Sequence, residues 1–260
     1  MRTRLDLRAV YRRLYAANGR QHWWPGETRF EIMVGAVLTQ NTAWSNVERA
    51  IANLKRARAL SPEAILRAPA ARLANWIRPS GYFNVKAKRL KSLCRWLIAQ
   101  GGVRRLARLP TERLREALLG VHGIGPETAD DILLYAFERP VFVIDAYTRR
   151  IFARLGLIRG DEDYETLRRL FERRLGPDVA LFNEYHALIV RHGKDICRKR
   201  PRCTDCCLTS GCAAFRQGRV RSERGGRRGK MSGLSSSRRR SVHSRPITCA
   251  RKAGIRSSSQ

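Results

Sequence analysis

The stretch from Leu118 to Arg150, LLGVHGIGPETADDILLYAFERPVFVIDAYTRR, limits what this chain can become more than any other segment. A helix closing near Leu119 meets Val121-His122-Gly123-Ile124-Gly125, a link short enough to demand a tight turn, and a second helix opens near Pro126. Proline suits the first helical turn, where its missing N–H removes no bond. Gly123 and Gly125 can adopt positive φ and leave no side chain between the backbone and a ligand. Amides at such a helix start suit one phosphate oxygen. Beyond it, Val141-Phe142-Val143-Ile144 is a short apolar run, read as a buried extended connector, and Asp145 follows with the spacing of an N-cap for a helix that begins at Ala146.

From residue 5 to 193 apolar residues recur at every third and fourth position, broken at Gly and Pro, which is the pattern of amphipathic helices. Helices are expected over 5–17, from a Thr28 cap through Val37, and over 44–55, 62–68, 85–99, 111–119, 128–137, 145–155, 163–174 and 178–192. No alternating pattern competes, so the fold class is all-α. No apolar run approaches the roughly 18 residues that cross a bilayer, and the N-terminus lacks the apolar core of an export signal, so neither a membrane partner nor secretion is expected.

The formal net charge is +31, far more than solubility requires, and a polyanion such as nucleic acid is the expected partner. Residues 219–260 hold 13 Lys and Arg against Glu223 alone, so they carry +12, and residues 1–218 keep +19. That final segment is dominated by Ser, Arg and Gly and is expected to stay disordered, because it cannot offset its ordering entropy by burial.

Five of the seven cysteines fall between Cys197 and Cys212, with Cys94 and Cys249 elsewhere. This is no secreted disulfide framework, and a metal site in a reducing compartment fits better. The spacing Cys197-x5-Cys203-x2-Cys206-x5-Cys212 suits a [4Fe–4S] cluster or structural zinc. Cys207 is the spare, and Arg198, Lys199, Arg200 and Arg202 lie between the first two ligands, where they are either a solvated face or a phosphate contact. His122, His186 and His192 lack metal spacing and are read as structural, with His122 able to meet phosphate.

The hairpin, its Gly/Pro-rich loop and the following aspartate resemble the helix-hairpin-helix motif of the endonuclease III superfamily of DNA glycosylases. The resemblance implies that Asp145 is catalytic and that His122, Gly123, Ile124 and Gly125 hold the DNA backbone. A carboxylate suits that chemistry, since breaking an N-glycosidic bond builds positive charge on the sugar. Bifunctional relatives carry a Schiff-base lysine in the hairpin. Here Glu127 occupies that position, and a carboxylate forms no imine, so a monofunctional hydrolase is expected.

A second stretch, His22-Trp23-Trp24-Pro25 followed by Leu38-Thr39-Gln40-Asn41-Thr42-Ala43-Trp44, is similar to the leading helix of the 3-methyladenine branch. It implies that Gln40 enters the gap left by an extruded nucleotide and that Trp23, Trp24 and Trp44 stack on an electron-poor alkylated purine. The cysteine run resembles the family's C-terminal iron–sulfur loop, although the first gap there is usually six residues. Lys86, with Asn84 and Lys88, resembles a helix start near DNA.

The resemblance spans about 5–215 and implies two helical lobes. Residues 1–24 would pack on the second lobe, 25–138 form a helical barrel ending in the hairpin, 139–218 form the second lobe with its iron–sulfur loop, and 219–260 form the tail. The expected protein is a monomeric, cytoplasmic, nucleoid-associated prokaryotic enzyme acting on damaged double-stranded DNA. Two rivals stand beside it: a glycosylase/lyase using Lys86 or Lys194, and a non-catalytic DNA-binding iron–sulfur protein.

Overall fold

Capping side chains set where several of the helices begin. In the computed structural model, which describes residues 5–23 and 26–220, Asp6 caps α1 (Leu7–Asn18) and Thr28 caps α2 (Arg29–Thr39), each accepting an otherwise unpaired amide of the first turn. Trp24 and the 221–260 part of the tail lie outside the described residues. Next come α3 (Trp44–Arg56), α4 (Pro62–Arg67), α5 (Ala70–Trp76), α6 (Phe83–Ala99), α7 (Gly102–Leu106) and α8 (Thr111–Leu119). The hairpin leads into α9 (Pro126–Asp131), and α10 (Ala146–Leu155), α11 (Tyr164–Leu175), α12 (Val179–Asp195) and α13 (Ala213–Arg216) complete the chain. There is no strand among the described residues, so the fold is all-α as the periodicity requires.

Two departures from the sequence expectation have local causes. The segment expected as one helix over 128–137 starts at Pro126 and loosens into a π-turn at Ile132–Ala136, closed by Phe137 N–H donating to Ile132 O at 3.2 Å. Helices α5, α7 and α13 are too short to display a full amphipathic period, and the sequence reading passed over them. Of the two hairpin glycines, Gly125 is extended at φ −93°, as the residue that precedes the first turn of α9.

Packing makes two groups of helices. α2, buried from Phe30 to Leu38, lies against α3, α6 and α9, while α4 and α5 pack on α6. In the other group α12 packs on α1 and α10, α1 also meets α11, and α10 meets α13. The π-turn touches α2, α8, α9 and α12, so it joins the two groups. Phe142, Phe152, Phe171, Phe182 and Tyr185 form the aromatic centre of the second group, and the Tyr185 hydroxyl donates to Leu7 O at 2.6 Å.

The connector Val141 to Ile144 is fully buried, yet it pairs with no strand. Side chains of α11 satisfy its amides instead: Phe142 N–H donates to Glu172 Oε1 at 3.0 Å and Ile144 N–H to the Tyr164 hydroxyl at 3.3 Å. Glu172 also pairs with Arg168, which pairs with Glu165, and Glu165 pairs with Arg115 of α8. This chain of charges ties the hairpin to the segment that delivers Asp145.

Candidate active site

Asp145 is buried at the head of α10, in extended conformation at φ −90° and ψ 178°. Its Oδ1 accepts from both the backbone N–H and the hydroxyl of Thr148, each at 2.7 Å. Its Oδ2 lies 3.7 Å from His186 Nε2, an ion-pair distance rather than a hydrogen bond. The other ring nitrogen of His186 is bonded to the Tyr135 hydroxyl, which the π-turn carries into the site. His186, read from the sequence as merely structural, is thus corrected to a neighbour of the candidate catalytic carboxylate. The sequence hid it because 41 positions separate the two residues.

The electrostatics divide these groups. Burial works to raise the Asp145 carboxyl, yet the His186 imidazole and the Thr148 bonds outweigh it and hold Asp145 below the ordinary carboxylate range. Burial likewise works to lower His186, but Asp145, then Asp131 and Glu127, raise it. Asp131, which the sequence reading did not single out, is pushed up to about 8 by desolvation, with further repulsion from Glu127, Asp145 and Asp130. Glu127 keeps its side chain exposed, but desolvation and then Asp145 push its carboxyl up. The position matching the family lysine therefore faces Asp145 electrostatically, and it does so with a carboxylate. One carboxylate is held ionised and another held protonated at neutral pH, an arrangement suited to stabilising a developing cation.

The hairpin is locked from below. Gly123 sits at φ +88°, and a Cβ there would lie 2.3 Å from Arg89 Cγ, so both the backbone sign and the space require glycine. Gln40 donates to Gly123 O at 3.0 Å and to Thr128 Oγ1 at 2.9 Å, and its oxygen accepts from Arg89. Any insertion of Gln40 into a duplex would have to break these bonds first. His122 is exposed, whereas Ile124 turns its side chain into the core and donates its N–H to Val121 O, so its expected DNA contact is corrected to a packing role.

Lys86 requires the plainest correction. It is 1% exposed, and its ammonium donates to Leu38 O at 2.9 Å and Ser80 O at 2.7 Å. Desolvation, with Arg89 nearby, lowers it to about 8. A side chain held this way reaches neither phosphate nor an abasic sugar, and it ties the end of α2 to the turn before α6. Lys88, Asn84 and Lys194 are exposed. Tyr82 at that turn is 71% exposed with φ +44°, an exposed aromatic in a left-handed conformation that no sequence signal marked.

Trp23 and Trp44 are half-buried and pack together, ring centroids 6.2 Å apart. In the cysteine run, burial raises the Cys203, Cys206 and Cys207 thiols, and neighbouring cysteines add to each. All are free thiols, and among the described residues no set of three or more His, Cys, Asp or Glu is arranged to hold a metal ion. Arg154 of α10 donates to Cys197 Sγ at 3.3 Å, to Arg198 O at 2.6 Å and to Lys199 O at 3.0 Å, and Arg150 donates to Cys197 O at 2.9 Å. These bonds fix the base of the loop. Lys199, Arg200 and Arg202 are exposed above it, while Arg198 is half-buried.

Among the described residues no helix is long and apolar enough to cross a membrane. The family of HhH-GPD superfamily base excision DNA repair proteins matches residues 34–177. A protein of Methanocaldococcus jannaschii named as a DNA repair glycosylase is 46% identical over 206 residues, covering 78% of this chain and 94% of its own length. Endonuclease III of Treponema pallidum is 31% identical, covering 78% of this chain and 93% of its own. Among solved structures, the H. pylori 3-methyladenine DNA glycosylase bound to 1,N6-ethenoadenine is 31% identical with a TM-score of 0.64, covering 73% of this chain and 98% of that one. A non-covalent endonuclease III–DNA complex gives a TM-score of 0.72 at 22% identity, over 84% of this chain and 99% of that one, a likeness of fold. With the family model spanning the hairpin and Asp145, and with relatives matched over most of their length, this chain belongs to the HhH-GPD superfamily and is a base excision repair DNA glycosylase.

Proposed function

We propose that this glycosylase hydrolyses the N-glycosidic bond of an alkylated purine in double-stranded DNA and makes no covalent bond to the sugar. The observation that carries this reading is the pairing of Asp145 with Glu127: a buried carboxylate held ionised, with a second carboxylate facing it at the position where bifunctional relatives hold a lysine. Asp145 stabilises the sugar as positive charge develops or deprotonates the attacking water. The ionised Asp145 also favours a cationic base over a neutral one. Trp23 and Trp44 offer stacking faces to that base. The likeness to a 3-methyladenine glycosylase supports the choice of lesion.

In this reading the DNA backbone lies over Gly123, Gly125 and His122, with Lys199, Arg200 and Arg202 neutralising further phosphates. The two lobes meet near residue 138, with residues 5–23 packed on the second, and the enzyme works as a monomer in the reducing cytoplasm. Cys197, Cys203, Cys206 and Cys212 would hold a [4Fe–4S] cluster, whose part there is to rigidify the basic loop. The sequence spacing of these four cysteines, with Cys207 as the spare, supports that ligand set.

A panel of duplexes, each with one defined lesion, tests the reading by alkaline strand scission. Excision of alkylated purines without strand cleavage before alkali is the expected result. Cleavage without alkali, with a complex trapped by borohydride, would instead make the enzyme a lyase using an exposed amine such as Lys194.

A further inference from the structure

Asp145 commits only one of its oxygens to α10. Oδ1 takes both Thr148 bonds, and Oδ2 faces His186 Nε2 at 3.7 Å. His186 is 6% exposed, its Nδ1 is fixed by the Tyr135 hydroxyl, and its Nε2 is buried without a hydrogen-bond partner. The ring is therefore clamped at one nitrogen and aimed with the other at the uncommitted oxygen of the carboxylate. An unpaired buried donor is destabilising, and in native structures such atoms concentrate where strain or chemistry is retained.

Resting on the glycosylase reading above, we propose that His186 is a positioning residue for base excision: the imidazolium, backed by Tyr135, holds Asp145 ionised and in one orientation. The need for it comes from the neighbours. Asp131 and Glu127 on α9 both reach the His186–Asp145 pair, Asp130 adds to the negative field at Asp131, and Arg149 of α10 acts on Glu127. Burial opposes the ionised form of Asp145, and a protonated Asp145 could neither stabilise a sugar cation nor take a proton from water. His186 acts on Asp145 as a nearby positive charge held 3.7 Å from Oδ2, and Tyr135 keeps the ring from turning away. The π-turn has a part in this, because it is the element that places the Tyr135 hydroxyl against α12.

The test has two arms. In the free protein, the imidazole nitrogens of His186 are titrated by NMR in the parent and in Asp145→Asn. His186 should titrate above the ordinary histidine value in the parent and drop markedly in the variant. In single-turnover excision across pH, His186→Gln should lower the rate at neutral pH by about tenfold or more and move the acidic limb upward by about one pH unit, while lesion binding persists. Tyr135→Phe keeps the packing, loses the hydroxyl and should move the limb in the same direction by less. An acidic limb that stays in place in both variants, with rate and melting temperature falling together, would make His186 structural and overturn the proposal. A His186 titration indifferent to Asp145→Asn would also overturn it. If His186→Gln does not fold, Tyr135→Phe and the NMR arm decide. Excision without the coupled titration sinks this inference alone, whereas a coupled titration in a protein that excises nothing sinks the glycosylase mechanism.

Discussion

Arg115 of α8 and Asp130 of α9 pair at 2.6 Å inside the hairpin, with the Asp130 side chain wholly enclosed. Arg115 also reaches Glu165 of α11, so one guanidinium holds the hairpin closed and fastens it to the second helix group. Desolvation raises the Asp130 carboxyl even with Arg115 opposing it, so the pair is enclosed at a cost. Removing one partner would leave an uncompensated charge. Arg115→Ala should therefore cost about 3–5 kcal/mol, measured by urea unfolding. A loss below about 1 kcal/mol would place the pair with ordinary surface ion pairs.

Asp145→Asn preserves the side-chain oxygen that caps α10 but removes its charge. Excision should fall by about 100-fold or more, while melting temperature and lesion binding change little. A protein that loses stability but keeps its excision rate would reduce Asp145 to a cap worth about 1 kcal/mol. Glu127→Lys places an amine at the edge of the same site and should give borohydride-trapped complexes with abasic DNA that the parent lacks.

Asp131 gives the folded state a pH dependence with a definite sign. Its carboxyl is raised to about 8 in the folded protein, from an ordinary value near 3.8. The folded state therefore binds the proton more tightly, and stability is lost as pH rises from about 4 to about 8. Asp131→Asn removes that titration, so the variant should match the parent near pH 4 and exceed it in melting temperature near pH 8. Parallel stability curves for the two proteins across that range would rule out a raised Asp131.

Lys199 and Arg200 stand exposed above a loop base held by Arg150 and Arg154. If each meets one phosphate, replacing both by Ala should flatten the log–log salt dependence of DNA binding by about 2. An unchanged slope would leave them as a solvated face.

The cysteine loop makes a prediction that can be checked by eye. Protein purified without chelators should be yellow-brown with broad absorbance near ~400 nm, as thiolate-bound iron–sulfur is. Cys206→Ala should lose the colour and Cys207→Ala keep it. A colourless protein with one zinc per chain would replace the cluster by a zinc site.

The longer helices, the Thr28 cap, the freedom of Gly123 to take positive φ and the place of Asp145 ahead of α10 were legible in the sequence, because each depends on residues within one turn of itself. The repeated apolar spacing also determined an all-α chain, since only helices bury residues three and four apart on one face. Environment was decided elsewhere. Lys86 looks like a DNA contact until α2 and the turn before α6 close over it and their carbonyls take its ammonium. Gln40 looks like a free side chain until the hairpin, 83 positions on, accepts its amide. His186 looks like an ordinary core histidine until α12 and the π-turn bring it to Asp145. Charge state and access depend on what lies within a few ångströms in space, and for these residues the deciding neighbours come from distant parts of the chain, so only tertiary packing could assign them.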